Sequence, residues 1–458
     1  MAAAIHLQQQ GLKTLIIEQA SHAGGATRTE ELTLPGFRHD VGSAILPMGY
    51  ASPFYRNLPL EQYGLDWVFP EIPFAHALPE YNAAACYQDI LKTASQFGSD
   101  NDSYINLFQP LVNHWEDLEG NILAPLGFPS KPVEFLKFGL KAVPPAKSLA
   151  KHYFKNEASK LLFYGAAAHS TLPLTNVASS SFGLVLMIMA HKYGWPFPRG
   201  GAGNFIDALL KHYKSLGGSI LLNTEVQSFS KIPSASVYLF DLTPAQLLRL
   251  QDLPLSTIYR KRLQHYHYGA GVFKLDWALS EPIPFRNEKL RKAGTVHFGY
   301  SAQEIEDSEE MTSNNKLSNS PYVLLAQHSI FDQTRAPGGK HTGWAYCHVP
   351  HGSRRDCTAL IENQIERAAP GFKKTILKRH SFNTRELECF NPNLIGGDIN
   401  GGKQDITQLF TRPVVKVSPY RTSHSKIYLC SSSTPPGGGV HGMAGYHAAE
   451  QALKDHFH

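Results

Sequence analysis

An acid at the end of an apolar run and two glycine-rich turns are the parts of this chain best suited to chemistry. Glu18 follows Leu15-Ile16-Ile17. An acid at that place accepts a hydrogen bond from a ribose hydroxyl in nucleotide-binding βαβ units, and otherwise stands as a solvated strand end. Gly24-Gly25 then permits a tight turn with close backbone approach, and Arg28 supplies a cation. These are the parts of a diphosphate cradle as well as of an ordinary turn. Near the other end, the strand-like Ile427 to Cys430 runs into Pro435-Pro436-Gly437-Gly438-Gly439 and then Gly442-Met443, a strand–turn–helix junction of the ligand-facing kind.

The remaining reactive side chains are more dispersed. His265 and His267 in LQHYHYG share one face of an expected strand, but no third ligand accompanies them and no metal is expected. His348 in CHVPHG is a candidate catalytic group or a cavity-wall residue. Arg199 in PRGGAG either faces a cofactor or substrate carboxylate, or closes a loop ion pair. Trp195, Phe197, Trp344 and Tyr346 suit an apolar substrate channel or a packed core. With no Ser-His-Asp order, HExxH or Walker motif in the sequence, a cofactor must carry the chemistry.

These groups need strands and helices to hold them. Residues 2–10 read as a helix stopped by Gly11, and Leu15 to Ile17 as a strand buried on both faces. Phe37 between Gly36 and Gly42 suggests a hairpin, and residues 52–196 read as mostly helical. Arg199 to Gly203 opens a helix that ends at Gly217-Gly218, and Ser219 to Val226 reads as a strand. Residues 255–412 alternate strand-like stretches with polar loops, EIEDSEEMTSNNKLSNS being taken as a surface loop. That alternation suggests an α+β substrate domain.

Bulk properties narrow the class. The 458 residues, 42% hydrophobic and 18% charged, are ordinary globular values and leave room for two or three domains. A net charge of +5 is too diffuse for a nucleic-acid interface. Five scattered cysteines without a CxxC pair fit a reducing, cytoplasmic setting. Lysines interleaved with Phe, Leu and Val through 131–160 suggest either a solvated helix face or a peripheral membrane contact, and Pro144-Pro145 divides the segment.

Four segments together carry a resemblance: GLKTLIIEQASHAGGATRTEELTLPGFRHDVGS, GWPFPRGGAGNFIDALLKHYKSLGGSI, HTGWAYCHVP and IYLCSSSTPPGGGVHGMAGYHAA. In that order the chain resembles the phytoene-desaturase-like branch of the FAD-dependent amine-oxidase superfamily, nearly end to end. The resemblance implies an α/β architecture: an FAD-binding, doubly wound (Rossmann-like) domain from 1–66, 197–250 and 413–458, with an inserted α+β substrate domain from 67–196 and 251–412. It implies FAD as cofactor and NAD(P) as an electron partner. Glu18 would be the ribose acid, with Gly24, Gly25 and Arg28 the fingerprint beside it and Val226 on the adenine side. Ser432, Gly438, Gly439, Gly442 and Met443 would line the ribityl and isoalloxazine end.

The implied activity is desaturase- or dehydrogenase-type hydride transfer from a hydrophobic, polyene or lipid-like substrate. A flavin-dependent isomerase and a non-catalytic binding protein are the alternatives. The family begins with a strand and GxGxxG turn ahead of the helix at 2–10. Neither is in this sequence, so an N-terminally truncated version of a longer protein, with a weakened pyrophosphate clamp, is expected.

Overall fold

The computed structural model describes residues 1–457 and contains two strand systems of different design. In the first, β1 (Leu15–Ile17) pairs in parallel with β8 (Ser219–Leu221), and β9 (Tyr238–Phe240) pairs in parallel with β15 (Ile427–Leu429). The helix Ala2–Gln9 precedes β1 and packs against the C-terminal helix Met443–His456. Small residues let the two helices approach closely: a Cβ on Gly445 would stand 3.1 Å from the Ala3 amide nitrogen. Ala3, Leu7, Ala449 and Leu453 form the apolar seam between them, and His6 pairs with Glu450.

The second system is a seven-stranded mixed sheet in the order β14-β10-β13-β12-β11-β5-β6. Its strands are β5 (Ile72–Ala77), β6 (Ala83–Cys86), β10 (Gly271–Leu279), β11 (Ala293–Phe298), β12 (Val323–Ala326), β13 (His341–Val349) and β14 (Ile376–Phe382). Only β5 and β11 run parallel; the other neighbours are antiparallel. Every residue of β5, β6, β10, β11 and β12 is buried. One face packs on Cys357, Ile361, Ile365 and Phe372. The other meets the helices Glu157–Ala167 and Ser179–Tyr193, where Leu161, Phe163, Leu184, Met187 and Ile188 are buried. Two short antiparallel ribbons tie the systems together: β2 (Thr29–Glu30) with β3 (His39–Asp40), and β4 (Trp67–Val68) with β7 (Phe197–Pro198).

Several local expectations are corrected. Residues 52–196 contain β4, β5 and β6 as well as helices. The alanine-rich β6 is a strand because Phe74, Ala75, His76 and Ala77 pair across from it. The segment read as a polar surface loop is largely the helix Ala302–Ser313, started by Ser301, whose hydroxyl accepts the Glu304 amide at 3.1 Å. The strand expected over Ser219 to Val226 stops at Leu221. His265 lies at the C-terminus of the helix Thr257–Gln264, its Nδ1 bonded to the Lys261 carbonyl at 2.7 Å, so it and His267 share no strand face.

Candidate functional site

The carboxyl ends of β1, β9 and β15 converge, which is where open α/β sheets bind ligands. Glu18 follows β1, Asp241 follows β9 and Cys430 follows β15. Burial pushes the Asp241 carboxyl up; the N-terminal ammonium draws it back and the charge of Glu18 adds to the rise. Asp241 nevertheless remains open to solvent. The Glu18 amide bonds the Leu221 carbonyl at 2.8 Å and the Thr224 amide bonds the Glu18 carbonyl at 2.9 Å, so the turns after β1 and β8 form one rim. Val226 extends from that rim into an apolar cluster with Phe229, Tyr238 and Phe240.

The turn after Glu18 has the chemistry of a cradle. Glu18 Oε1 accepts the Ala20 amide at 2.8 Å, and Arg28 donates to the Gly25 carbonyl at 3.3 Å and to Glu30 at 3.2 Å. Its guanidinium also stacks 4.4 Å from the Phe390 ring centre. Gly25 has φ +58°, and a Cβ there would meet only the Asn391 amide, at 3.5 Å. Gly24 is different. Its missing Cβ is space used by Ile206, 2.9 Å away, so this glycine serves packing.

At the opposite rim, Gly438 is closed by Asn400 at 2.9 Å and Gly442 by Tyr55 at 2.5 Å, while Gly439 is exposed. The Met443 amide caps onto His441 Nδ1 at 3.1 Å. Ser432 offers its carbonyl to Arg412 at 3.1 Å. A carboxylate, an arginine, an open left-handed glycine and an exposed glycine gathered at these strand ends fit FAD. Glu18 and Arg28 would hold its ribose and diphosphate, and the Ser432–Met443 turn its ring end.

One part of this rim escaped sequence reasoning. In Ile395-Gly396-Gly397-Asp398-Ile399-Asn400-Gly401-Gly402, Asp398 accepts the Gly269 and Asn400 amides, both at 2.7 Å. The Gly401 carbonyl accepts from Ser433 at 2.6 Å and Tyr266 at 2.7 Å. A Cβ on Gly402 would stand 1.8 Å from the Tyr266 hydroxyl. Two glycine pairs around one aspartate were the available signal.

The sheet supplies a second set of groups. Cross-strand partners put Trp344, Tyr346 and His348 of β13 on one face with Lys274 and Asp276 of β10, His297 of β11 and His76 of β5. His348 is 1% exposed. Its Nδ1 stands 2.7 Å from Glu309 Oε2, while Nε2 has no partner among the described residues. Tyr322 and Tyr346 rings flank it at 5.6 and 5.7 Å between centres. Glu309 comes from the helix misread as a loop; Ser301 and Glu304, spaced as a capping pair, were its signal.

Beside this dyad, His169 and His297 meet through their Nε2 atoms at 3.2 Å, and Trp195 packs 5.7 Å from His169. Burial pushes His76 down to about 4 and His169 to about 3, His348 adding to the latter, and holds His297 far below its ordinary value. The imidazoles are therefore neutral at physiological pH. Gly165 allows the covering helix to sit on them: a Cβ there would fall 2.5 Å from His297 Nδ1 and 2.8 Å from His76 Nδ1.

Arg199 does not join this wall. It is half-exposed and forms a surface ion pair with Asp66 at 2.5 Å, the loop ion pair that is the other expectation for this residue. The loop it opens has an internal duty. Asp40 accepts the Ala202 amide at 2.8 Å and the Thr29 hydroxyl at 2.7 Å, and pairs with the fully buried Arg335. Gly200 donates to Asp332 at 2.7 Å. A Cβ on Gly201 would stand 2.2 Å from Thr29 Oγ1 and 2.6 Å from an Arg335 nitrogen, so the glycine is required by this buried network. Lys274, paired with Asp276, extends it under the aromatic wall.

Comparison with known proteins places this geometry. The chain is 24% identical to pyridine nucleotide-disulfide oxidoreductase domain-containing protein 2 of Rattus norvegicus, over 99% of this chain and 91% of the rat protein. It is 23% identical to a phytoene desaturase (lycopene-forming) of Pantoea ananas, over 99% and 96% respectively. The fold is that of a crystallised oxidoreductase from Methanosarcina mazei, with a TM-score of 0.64 at 16% identity, covering 99% of this chain and 97% of that one. Residues 1–246, more than half of the chain and including the Glu18 rim, β8 and the end of β9, match the flavin containing amine oxidoreductases; the chain belongs to that family and is an FAD-dependent oxidoreductase.

Proposed function

We propose that this oxidoreductase dehydrogenates a hydrophobic, polyene- or lipid-like substrate held against the Trp195–Trp344–Tyr346 wall. One observation carries the reading. Apart from the Lys274–Asp276 ion pair, the side chains on that face are aromatic or imidazole, and the one carboxylate reaching it, Glu309, is held by a hydrogen bond to His348. Such a wall favours C–H-rich substrates over charged ones, which would leave a buried charge uncompensated. The name of the Pantoea relative, a phytoene desaturase, supports the same class.

Bound FAD supplies the two-electron acceptor for a hydride. The protein's part is the other hydrogen. Glu309 holds His348 with its proton on Nδ1, at 2.7 Å, leaving the Nε2 lone pair free in a buried setting. When hydride leaves one carbon, Nε2 takes the proton from its neighbour and the electron pair of that C–H bond closes the C=C. Trp344 and Tyr346, in a T-shaped pair 5.4 Å apart, fix the substrate's plane and exclude water.

The test is anaerobic. Purified yellow protein is mixed with a polyene, and loss of the oxidised-flavin absorbance is followed with product analysis. Bleaching with a new double bond supports the proposal, and His348→Gln should slow it with flavin content unchanged. Isomerised product without bleaching would instead establish a flavin-dependent isomerase. A colourless protein unable to take up flavin would establish a binding role. Re-oxidation by NAD(P)+, a quinone or oxygen then identifies the electron partner.

A further inference from the structure

We infer that residues 126–143 form a docking surface for an anionic bilayer, seated in its headgroup region. Val133, Leu136, Leu140 and Val143 recur at helical spacing on the helix Pro132–Ala142 and just beyond it, all at least half exposed, with Leu140 at 68%. Leu126 and Phe128, in the loop before the helix, extend the same patch, Phe128 being 90% exposed. The helix is not loosely attached. Its opposite side buries Phe138 and Ala142 against the helix Ser179–Tyr193, so the outward stripe is a fixed feature of the fold. Apolar side chains of this size gathered on one surface helix mark an interaction site.

Charge selects the occupant. Lys131 precedes the helix, and Lys137 and Lys141 flank the stripe. The neighbouring acid, Glu134, is bound to Lys137 at 2.8 Å and faces His114 at 3.9 Å. Lys131 and Lys141 have no carboxylate partner among the described residues. An apolar row with a lysine border is the pattern of a helix lying in a membrane interface, its cations at the phosphate level. The rest of the 131–160 segment lacks this pattern. The helix Ala146–Tyr153 turns Ala146, Leu149 and Ala150 inward, and Lys147 is engaged by Glu306 at 2.6 Å. No helix among the described residues is long and apolar enough to cross a membrane, so the contact is superficial.

The test is flotation of the full chain with vesicles of phosphatidylcholine alone or with roughly a quarter phosphatidylserine. Binding to the mixed vesicles, weakened by salt, is expected. The triple variant Lys131→Gln, Lys137→Gln, Lys141→Gln should weaken it about a hundredfold, at about fivefold per lysine near an anionic surface. Leu136→Ser with Leu140→Ser should abolish it, with circular dichroism, thermal midpoint and flavin absorbance unchanged because both positions are exposed. Failure of the unaltered chain to float with mixed vesicles overturns the proposal, as does unchanged binding of the leucine variant. A dimer that Leu140→Glu splits, without any vesicle binding, assigns the stripe to self-association and equally overturns it.

Discussion

Acid should unfold this protein well above the range where carboxylates are neutralised, because its buried histidines resist protonation. Burial pushes His39 down to about 3, Lys274 and Arg335 adding to the effect, and His76, His191, His328 and His441 to about 4. In the unfolded chain each would titrate near 6.5. A base whose folded value is depressed binds its proton only in the unfolded state between the two values, so stability falls as pH drops through 6.5 and levels off below the folded value. Between pH 7.5 and 5.5 each of these five imidazoles costs about 1.3 kcal/mol of stability.

Asp276, pushed up to about 6 chiefly by burial, works in the opposite direction. Folded, it gains a proton in this window that the unfolded chain does not hold, returning about 0.8 kcal/mol. Across these six groups the net loss is about 6 kcal/mol, the scale of an entire domain's stability, and burial of His169 and His297 adds to it. Urea unfolding at fixed temperature across this pH range measures it, and these six groups contribute uptake of about four protons on unfolding to its slope near pH 5.5. His76→Gln should remove about one of them. A free energy of unfolding that is flat between pH 7.5 and 5.5 would refute the assignment of these rings as buried neutral bases.

Four further outcomes follow from local packing and charge. Gly165→Ala drives a methyl into His297 and His76 and should cost about 1–3 kcal/mol by urea midpoint. Gly120→Ala, in a helix with nothing within 4 Å, should be neutral or stabilising by up to about 1 kcal/mol in the same assay. Arg335→Met leaves Asp40 charged, buried and short of its main partner, and should cost about 3–5 kcal/mol, whereas Arg199→Ala at the surface should cost no more than about 1 kcal/mol. Glu309→Gln keeps the shape beside His348 but removes the charge. We expect kcat to fall about 10–100-fold with little change in KM, measured by steady-state oxidation of the preferred substrate.

The turns and strand ends of the candidate cofactor site were legible because their signals are local. Gly25 and Gly439 have positive φ, and the turns that need such backbone display their glycines in the sequence. Leu15–Ile17 and Ile427–Leu429 announce themselves as strands by apolar runs of strand length, but only the second is buried: Leu15, expected to be covered on both faces, is 43% exposed. Where the reading failed, tertiary pairing overrode local preference. Ala83–Cys86 is three alanines and a cysteine, a composition that favours helix, yet it is a strand because β5 and the sheet bury it. The resemblance puts Gly24 beside the cofactor; that its missing Cβ also leaves room for Ile206, from a distant helix, is a packing demand that no local pattern reveals.

The substrate half depends on register, which is why its key partner was missed. His348 could be singled out from CHVPHG, but whether it is a base or a packing residue turns on what faces Nδ1. That partner, Glu309, lies in a stretch so rich in acids that composition alone places it in solvent. The helix Ala302–Ser313 instead turns Ile305, Glu306, Ser308, Glu309 and Thr312 inward, three or four residues apart, and leaves Glu310 and Asp307 outside. Glu306 receives the Tyr164 hydroxyl at 2.9 Å and Glu309 meets His348, so each buried carboxylate has a polar partner. The same helical spacing that hides two acids in an acidic segment thus builds the dyad. A polar periodicity of this kind carries as much structural information as an apolar one, provided that buried partners exist across the interface to receive it.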